Sequence, residues 1–345
     1  MKKIFALIML LVLAFSFAAC GGSPTPEPAP SGGGDEPAPA PAPAPAEELI
    51  IGFNTNGLTN ETMSFMVDVM RDYCNKNNIK LLTAEDNNDT AVTINNLENF
   101  VSAGVDGIIV RINDPVGMTP TIQELVDKGI TVVSYDEYVE AANFSFLCSF
   151  YDLGYAIGSM AGKWADEHIP NDEKIVCGLM SVEIVEAAVN RSDGIQDGFL
   201  DNCSRGEVFR SPFNGDQVDC WNNMLSARPE MKICASLADA MVTGVAEAWY
   251  ADLVGAGKDI SEYGVFATDA TDIALNLVKQ AKDGKGIYRG TIDLGLKDRV
   301  PLGMIQCCHA GILGQDPPAG YGTTNYYEFT YVTEENIDEY AAFFD

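Results

Sequence analysis

The sequence predicts an α/β protein of two similar lobes, each a doubly wound parallel sheet, joined by a hinge. Three observations support this fold class. Short β-branched runs bounded by turn residues alternate with segments that carry apolar residues at helical spacing. This strand–helix order runs through two long stretches, which begin near residues 49 and 174. Polar residues follow most of the predicted strands, at the edge where open parallel sheets bind ligands.

Residues 104–137 show the pattern most clearly. Strands are predicted over 107–110 and 130–133, and between them a helix over 121–128 is stopped by Gly129. A strand–helix–strand unit of this length has parallel strands and a right-handed crossover. Arg111 follows the first strand, and Asp136 and Glu137 follow the second. These side chains are therefore expected at one edge of the sheet.

The flanking elements follow the same order. In the first lobe we predict strands over 50–53 and 80–82 and helices over 62–76 and 90–103. In the second we predict strands over 175–180, 208–209, 232–237 and 264–267, and helices over 186–202, 217–227 and 240–255. The lobes are assigned to 49–147 and 148–290, with a return to the first lobe over 291–325 and a C-terminal segment over 326–345 at the hinge or second lobe.

A predicted helix over 154–167 joins the two lobes, and its glycines recur every fourth residue. Gly154, Gly158 and Gly162 lie on one face of it. They either form a flat stripe for close packing or loosen the helix, at roughly 1 kcal/mol each.

The N-terminus predicts export. Residues 1–19 form a signal peptide, because two lysines precede an apolar run too short and wrongly flanked for an ordinary transmembrane helix. The ending Phe17-Ala18-Ala19-Cys20 resembles a bacterial lipobox. The resemblance implies a lipid on Cys20 that anchors the protein to the outer face of a bacterial cytoplasmic membrane. The alternative is a plain secretory signal. Residues 20–48, rich in Pro, Ala and Gly, would then be a tether.

Composition excludes several classes of function. The net charge of −29 disfavours nucleic acid and anionic membrane surfaces as partners. Two histidines are too few and too scattered for metal or triad chemistry, and no nucleotide-binding or hydrolase motif occurs. We therefore expect no catalytic residues, no metal and no cofactor. Eight cysteines besides Cys20 show no CxxC spacing, and most are expected to be free and buried.

A set of short runs carries a family resemblance. They are AEDNNDTAVTINNLENFVSAGVDGIIV, GITVVSYDE, Asn190-Arg191-Ser192-Asp193-Gly194, Ala238-Asp239-Ala240-Met241, Ala267-Thr268-Asp269-Ala270 and YVTEENI. Their order and spacing resemble the type I solute-binding proteins of bacterial sugar ABC importers, the ribose/galactose-binding family, over roughly residues 49–340. The resemblance implies a monomer that closes two lobes on a small molecule, a sugar or polyol, and delivers it to an ABC permease.

The resemblance also implies ligand-binding residues. Asp136, Arg191 and Asp269 match binding residues of the family, and Asn60 and Asn87 match polar contacts. Further candidates are Arg111, where some members carry Asn; Glu137, which replaces an Arg; Asp239, beside a replaced Asn; and Asp293, near a family Gln or Asn. Phe213 offers either a stacking face or core packing. This pocket is less aromatic and more acidic than the ribose-type pocket.

Two other functions stay open at this level. One is a receptor for a non-sugar solute, such as an amine, nucleoside or amino acid, and the other is a receptor that feeds a sensor kinase. A transcription repressor with the same lobes would need an N-terminal DNA-binding helix pair, where this chain has an export signal.

Overall fold

The computed structural model describes residues 48–59, 61–170 and 174–342. The predicted signal peptide, Cys20 and the tether up to residue 47 lie outside these ranges. Within them, the first stretch forms β1 (Leu49–Thr55), α1 (Glu61–Lys76), β2 (Ile79–Glu85), α2 (Thr90–Ser102), β3 (Gly107–Arg111), α3 (Pro115–Asp127), β4 (Thr131–Asp136) and β5 (Phe144–Leu147).

The second stretch forms α4 (Phe150–His168), β6 (Ile175–Ser181), α5 (Glu186–Asn202), β7 (Gly206–Pro212), α6 (Gln217–Ala227), β8 (Ile233–Ser236), α7 (Thr243–Gly255), β9 (Gly264–Phe266), α8 (Asp272–Lys282) and β10 (Tyr288–Asp293). The chain continues through α9 (Arg299–Ile312), β11 (Thr324–Tyr326), β12 (Thr330–Thr333) and α10 (Ile337–Ala342).

The strands form two six-stranded sheets of matching order. The first sheet runs β11-β5-β4-β3-β1-β2 and the second runs β12-β10-β9-β8-β6-β7. All neighbours pair in parallel except β10 and β12, which are antiparallel. The prediction of an α/β protein with two similar, mostly parallel lobes is confirmed.

The strands of the first sheet form because both of their faces are covered. Ile108, Ile109 and Val110 in β3 and Val132 and Val133 in β4 are all 0% exposed. Helices lie on the two sides of a parallel sheet, so a strand in its middle is apolar throughout rather than alternating. The registers place Arg111 opposite Tyr135, so that the side chains that end β3 and β4 emerge side by side.

Helix α3 begins six residues earlier than the sequence suggested. Asp114 caps it, with a carboxylate oxygen 2.9 Å from the amide of Gly117, and Pro115 occupies the first turn. Pro120 therefore lies inside the helix. The hydroxyl of Thr119 donates to the carbonyl of Pro115 at 2.7 Å, in the turn before the proline.

Three short segments connect the lobes: residues 148–149, 294–298 and 327–329. Helix α9 packs on α1 and β3 and so belongs to the first lobe, together with β11. Strand β10 remains in the second sheet up to Asp293, so the return expected at residue 291 begins after that residue. Strand β12 brings the chain back to the second sheet.

The glycines of α4 have a clear steric role. A Cβ on Gly154 would overlap the carbonyl oxygen of Arg191, and a Cβ on Gly158 would overlap that of Ile195. In return, a Cβ on Gly194 or Gly198 of α5 would overlap backbone oxygens of α4. The stripe therefore serves close packing: α4 and α5 touch backbone to backbone, and this contact fixes the position of Arg191. Both helices belong to the second lobe.

All eight described cysteines are free and buried. Of the helices in the part of the chain that the structure describes, none has the length and apolar character that crossing a membrane requires.

Candidate functional site

A cavity of about 410 Å³ lies between the lobes, at the carboxyl ends of both sheets. Among the described residues, five charged side chains line it: Glu61, Arg111, Asp136, Arg191 and Asp269. Apolar side chains supply much of the remaining wall: Met63, Met66, Phe150, Ile273, Leu294 and Leu296. The cavity thus combines a few convergent polar groups with an apolar surface, as small-molecule sites do.

The first lobe contributes a preassembled polar wall. The Nε of Arg111 donates to Asp136 at 2.6 Å, and its Nη1 donates to the side-chain oxygens of Asn88 and Asn113 at 2.8 and 2.7 Å. The hydroxyl of Tyr327 donates to the other oxygen of Asp136 at 3.0 Å. Burial, and next the Asp136 carboxylate, raise the pKa of Tyr327, so the phenol keeps its proton. Both partners of Asp136 are therefore donors that hold the carboxylate in place.

The second lobe contributes Arg191 from α5, which is only partly satisfied. Its Nη1 donates to the carbonyl of Leu237 at 3.0 Å, and its guanidinium carbon lies 5.0 Å from the ring centre of Phe150. Its Nε is buried and has no partner among the described residues. A buried donor without an acceptor is costly, so this N–H is suited to an acceptor that arrives in the cavity.

The acids Asp136 and Asp269 share an unusual backbone. Asp136 has φ 70° and Asp269 has φ 116°, values that non-glycine residues rarely adopt. Asp136 is the last residue of β4, and Asp269 lies in the loop that follows β9, the corresponding strand of the second sheet. Strain of this kind persists only where surrounding structure imposes it, and it clusters at functional sites. Here it turns two equivalent carboxylates out of their sheets toward the same cavity.

Asp269 lies in an environment that disfavours its charge. Burial raises its pKa, the nearby Asp239 raises it further, Arg191 lowers it and Glu61 adds a smaller increase. No hydrogen bond to its carboxyl occurs within the described ranges, unlike that of Asp136. A hydrogen-bond donor or a cation in the cavity would therefore stabilise the ionised form.

Two predicted site residues lie behind the cavity wall. Asp239 is 0% exposed and accepts hydrogen bonds from the hydroxyls of Tyr288 and Thr291 and from the amide of Thr271 at 2.9 Å. Asp293 is 2% exposed and accepts from the amide of Gly295 at 2.7 Å. Asp239 supports the loop after β9, and Asp293 shapes the start of the second crossover. Neither is among the residues that line the cavity.

The remaining candidates lie in different places. Asn87 is exposed, and its neighbour Asn88 makes the contact with Arg111. Glu137 is partly buried, outside the cavity lining, where burial and Asp136 raise its pKa. Phe213 packs against the core of the second lobe. Asn60 lies outside the described residues. The structure thus brings together Arg111, Asp136, Arg191 and Asp269.

Sequence reasoning did not name Tyr327, Phe150 or Glu61. Tyr327 and Phe150 lie in or beside the crossovers, where no strand or helix pattern indicates which side chain faces the cleft. Glu61 is the first residue of α1 and follows the polar loop after β1. An acidic side chain at that position could have been predicted from the sequence to face the cleft. Among the described residues, no group of three or more His, Cys, Asp or Glu is arranged to hold a metal ion.

Comparison with known proteins relates this architecture to one family. The model of the family described as "Periplasmic binding protein domain" matches residues 51–293. None of the curated protein sequences matches the chain. An ABC transporter periplasmic solute-binding protein from Actinobacillus succinogenes 130z with bound D-allose has a similar structure, with TM-score 0.69 and 20% identity over 85% of this chain and 100% of that one.

Two further solved structures are similar. A solute-binding protein from Bacillus halodurans C-125 with bound myo-inositol gives TM-score 0.67 and 21% identity, covering 86% of this chain and 98% of that one. A carbohydrate transporter solute-binding protein from Agrobacterium radiobacter with D-arabinose gives TM-score 0.69 and 15% identity, covering 86% and 98%. With the family match spanning well over half of its length, the chain belongs to the periplasmic binding protein family.

Proposed function

We propose that this protein captures a sugar or polyol between its lobes, outside the cytoplasm, and delivers it unchanged to an ABC importer. One observation carries the proposal: polar groups from both lobes converge on a single cavity of about 410 Å³. Arg111 and Asp136 line it from the first lobe, and Arg191 and Asp269 line it from the second. A molecule in this cavity would contact both lobes, so its binding would favour their closure.

The chemistry of the cavity suits hydroxyl groups. A hydroxyl both donates and accepts a hydrogen bond, and the Nε of Arg191 and the carboxylate of Asp269 offer a donor and an acceptor without partners of their own. The apolar faces of Met63, Met66 and Phe150 suit the C–H surfaces of a sugar ring. The ligands of the similar structures, D-allose, myo-inositol and D-arabinose, support this class.

The charges of the wall disfavour an anion and make a cationic solute the second candidate. Three carboxylates, Glu61, Asp136 and Asp269, face two guanidinium groups. A phosphate or carboxylate would disfavour the ionised form of Asp269 still further, whereas an amino sugar or another amine would stabilise that form. A neutral polyol is favoured first because Asp136 is already neutralised by Arg111.

A thermal-shift screen followed by titration calorimetry tests the proposal. The panel contains D-allose, D-arabinose, myo-inositol, glycerol, glucosamine, a polyamine and a sugar phosphate. A ligand present at 100 times its Kd should stabilise the protein by about 2.7 kcal/mol. The proposal fails if every neutral sugar and polyol leaves the melting temperature unchanged, or if the sugar phosphate binds best. Recovery of the ligand chemically unchanged after long incubation separates binding from catalysis.

The N-terminus supports a membrane tether for this binder. A lipid on Cys20 and the Pro- and Ala-rich residues 21–48 would hold the two lobes within reach of a permease on the outer face of the cytoplasmic membrane. The protein would act as a monomer, since one chain supplies both walls of the cavity. Permease and ATPase genes beside this one would favour transport, and a sensor kinase gene would favour signalling.

A further inference from the structure

At one lip of the cavity the two lobes touch directly. Glu61, in the first turn of α1, reaches from the first lobe to the second. Its Oε1 accepts a hydrogen bond from the backbone amide of Asp272, the first residue of α8, at 2.9 Å. The amides at a helix N-terminus lack partners within the helix, so a carboxylate there is doubly favourable, through the hydrogen bond and through the helix dipole.

A lysine from the second crossover joins the same contact. The ammonium of Lys297 lies 2.6 Å from a carboxylate oxygen of Asp272 and 4.5 Å from the ring centre of Phe65 in α1. The side chain of Lys297 is only 10% exposed, whereas that of Asp272 is 72% exposed. One buried cation thus links a helix of the first lobe, a helix of the second lobe and the segment that hinges them.

All of these contacts require the two lobes to lie close together at this lip of the cavity. Glu61 and Phe65 move with the first lobe, and Asp272 moves with the second. The bond from Glu61 to α8 exists only while the lobes are closed, and Lys297 can hold Phe65 and Asp272 together only in that arrangement. Breaking any one of them weakens the others, because Asp272 is common to both links.

We propose that Glu61, Phe65, Asp272 and Lys297 form an interlobe clasp that sets how firmly the cleft is shut and therefore how long a bound molecule is retained. The clasp rests on the proposed function only for its link to ligand retention; the contacts themselves are made by residues of this chain alone. The bond to Asp272 engages one oxygen of Glu61 in holding the lobes together.

The clasp changes affinity through the population of closed protein. A ligand that needs both walls binds the closed form, and its apparent Kd rises as the closed fraction falls. A fall of that fraction to about one tenth would weaken apparent affinity about tenfold. The change should appear mainly as faster dissociation, since a loosened lip opens more often.

Small-angle scattering of the ligand-free protein tests the clasp. Glu61→Gln keeps the size of the side chain and weakens its bond to α8, and Lys297→Met keeps an apolar stem over Phe65 without the charge. Both variants should show a larger radius of gyration than wild type, and the double variant the largest. Asp72→Asn is the matched control, because Asp72 makes an exposed ion pair with Lys76 on the same helix α1. The control should scatter like wild type.

The outcomes separate the clasp from the proposed function. If the folded variants all scatter like wild type, the clasp is wrong, whatever the protein binds. If the variants have a larger radius of gyration but neither D-allose nor myo-inositol binds wild type, the clasp is supported and the choice of those two ligands is wrong. If one of these two probes binds, its dissociation rate should rise by up to about tenfold in Lys297→Met, whose side chain does not line the cavity, and remain unchanged in Asp72→Asn. Equal rates in all proteins would remove the link to retention.

Discussion

At the scale of single residues, the site consists of two acid–arginine sets that differ in how many of their hydrogen-bonding groups already have partners. Asp136 is held by Arg111 and Tyr327, so the first wall is complete without a ligand. Arg191 and Asp269 retain unused hydrogen-bonding capacity on the second wall. We therefore expect the first wall to fix the position of a ligand and the second to supply most of the new hydrogen bonds.

Replacing Arg191 tests this division. Arg191→Ala removes the donor that has no partner and should weaken binding of the best panel ligand by roughly ten- to a hundredfold, since a hydrogen bond to a charged group is worth about 1.5–3 kcal/mol. Titration calorimetry measures the change. Asp252→Ala, an exposed acid on α7 of the same lobe, is the control and should bind like wild type. Wild-type affinity in a folded Arg191→Ala protein would contradict the assignment.

The raised pKa of Asp269 predicts a pH dependence of stability. Burial and the charge of Asp239 raise the pKa of Asp269 in the folded protein. At a pH between the ordinary pKa of Asp and this raised pKa, Asp269 is protonated in the folded state and ionised in the unfolded state. The free energy of unfolding contributed by this group therefore falls as the pH rises through that window. Asp269→Asn removes the contribution.

Urea unfolding between pH 4 and 9 measures this effect. The difference in stability, Asp269→Asn minus wild type, should grow with pH, and Asp252→Asn, at an exposed acid of the same lobe, provides the control measurement over the same range. A flat difference for Asp269→Asn would show that the carboxyl titrates normally in the folded protein.

Sequence reasoning located the acids but not their directions. The family resemblance named Asp136, Asp239, Asp269 and Asp293, and the rule that ligands bind where parallel strands end supported Asp136 in the first lobe. Only the first and third line the cavity, because a positive φ turns each of them outward. Asp239 and Asp293 are turned inward to hydroxyls and amides of their own lobe. No residue pattern encodes that difference, since it depends on backbone conformation imposed by distant contacts.

At the scale of elements, strands and helices with long apolar patterns were predictable, and the crossovers were not. Residues 108–110 are apolar and β-branched, and they lie in β3. Helix α3 was predicted only over 121–128, where apolar residues recur at helical spacing, whereas Asp114 and Pro115 start the helix. Tyr327 belongs to a three-residue link between β11 and β12, which has no periodicity to read.

The α4–α5 contact makes a prediction about stability. Gly158→Ala places a methyl group on the backbone of α5 at Ile195, so the helices must separate. Overpacking of this kind costs typically about 1–3 kcal/mol, and we expect the upper part of that range because backbone atoms cannot turn aside. Chemical denaturation measures the loss.

Gly255→Ala is the control for this substitution. Gly255 also lies in a helix, but an added Cβ there meets nothing within 4 Å. Alanine should leave stability unchanged or increase it by up to about 1 kcal/mol. If Gly158→Ala were as stable as Gly255→Ala, the two helices would not be held at backbone contact in solution.

At the scale of the whole molecule, the family match and the paired sheets agree on a two-lobed binder. The proposed anchor at Cys20 makes a prediction about where that binder is found. Cys20→Ala should move the protein from the membrane fraction to the soluble fraction, because the anchor would be lost while the lobes still fold. Radiolabelled palmitate should enter wild type only. An unchanged membrane fraction, with no label in wild type, would contradict lipidation at Cys20.

The burial of every described cysteine has a practical consequence for observing this molecule at work. Burial raises the pKa of Cys74 to about 11 and those of Cys148 and Cys307 to about 12, so these thiols stay protonated and poorly nucleophilic at neutral pH. A cysteine added to the surface of each lobe would then be the preferred target of a maleimide dye in a form that begins at residue 48. Paired fluorophores could report opening and closing in single molecules, without first replacing the native cysteines.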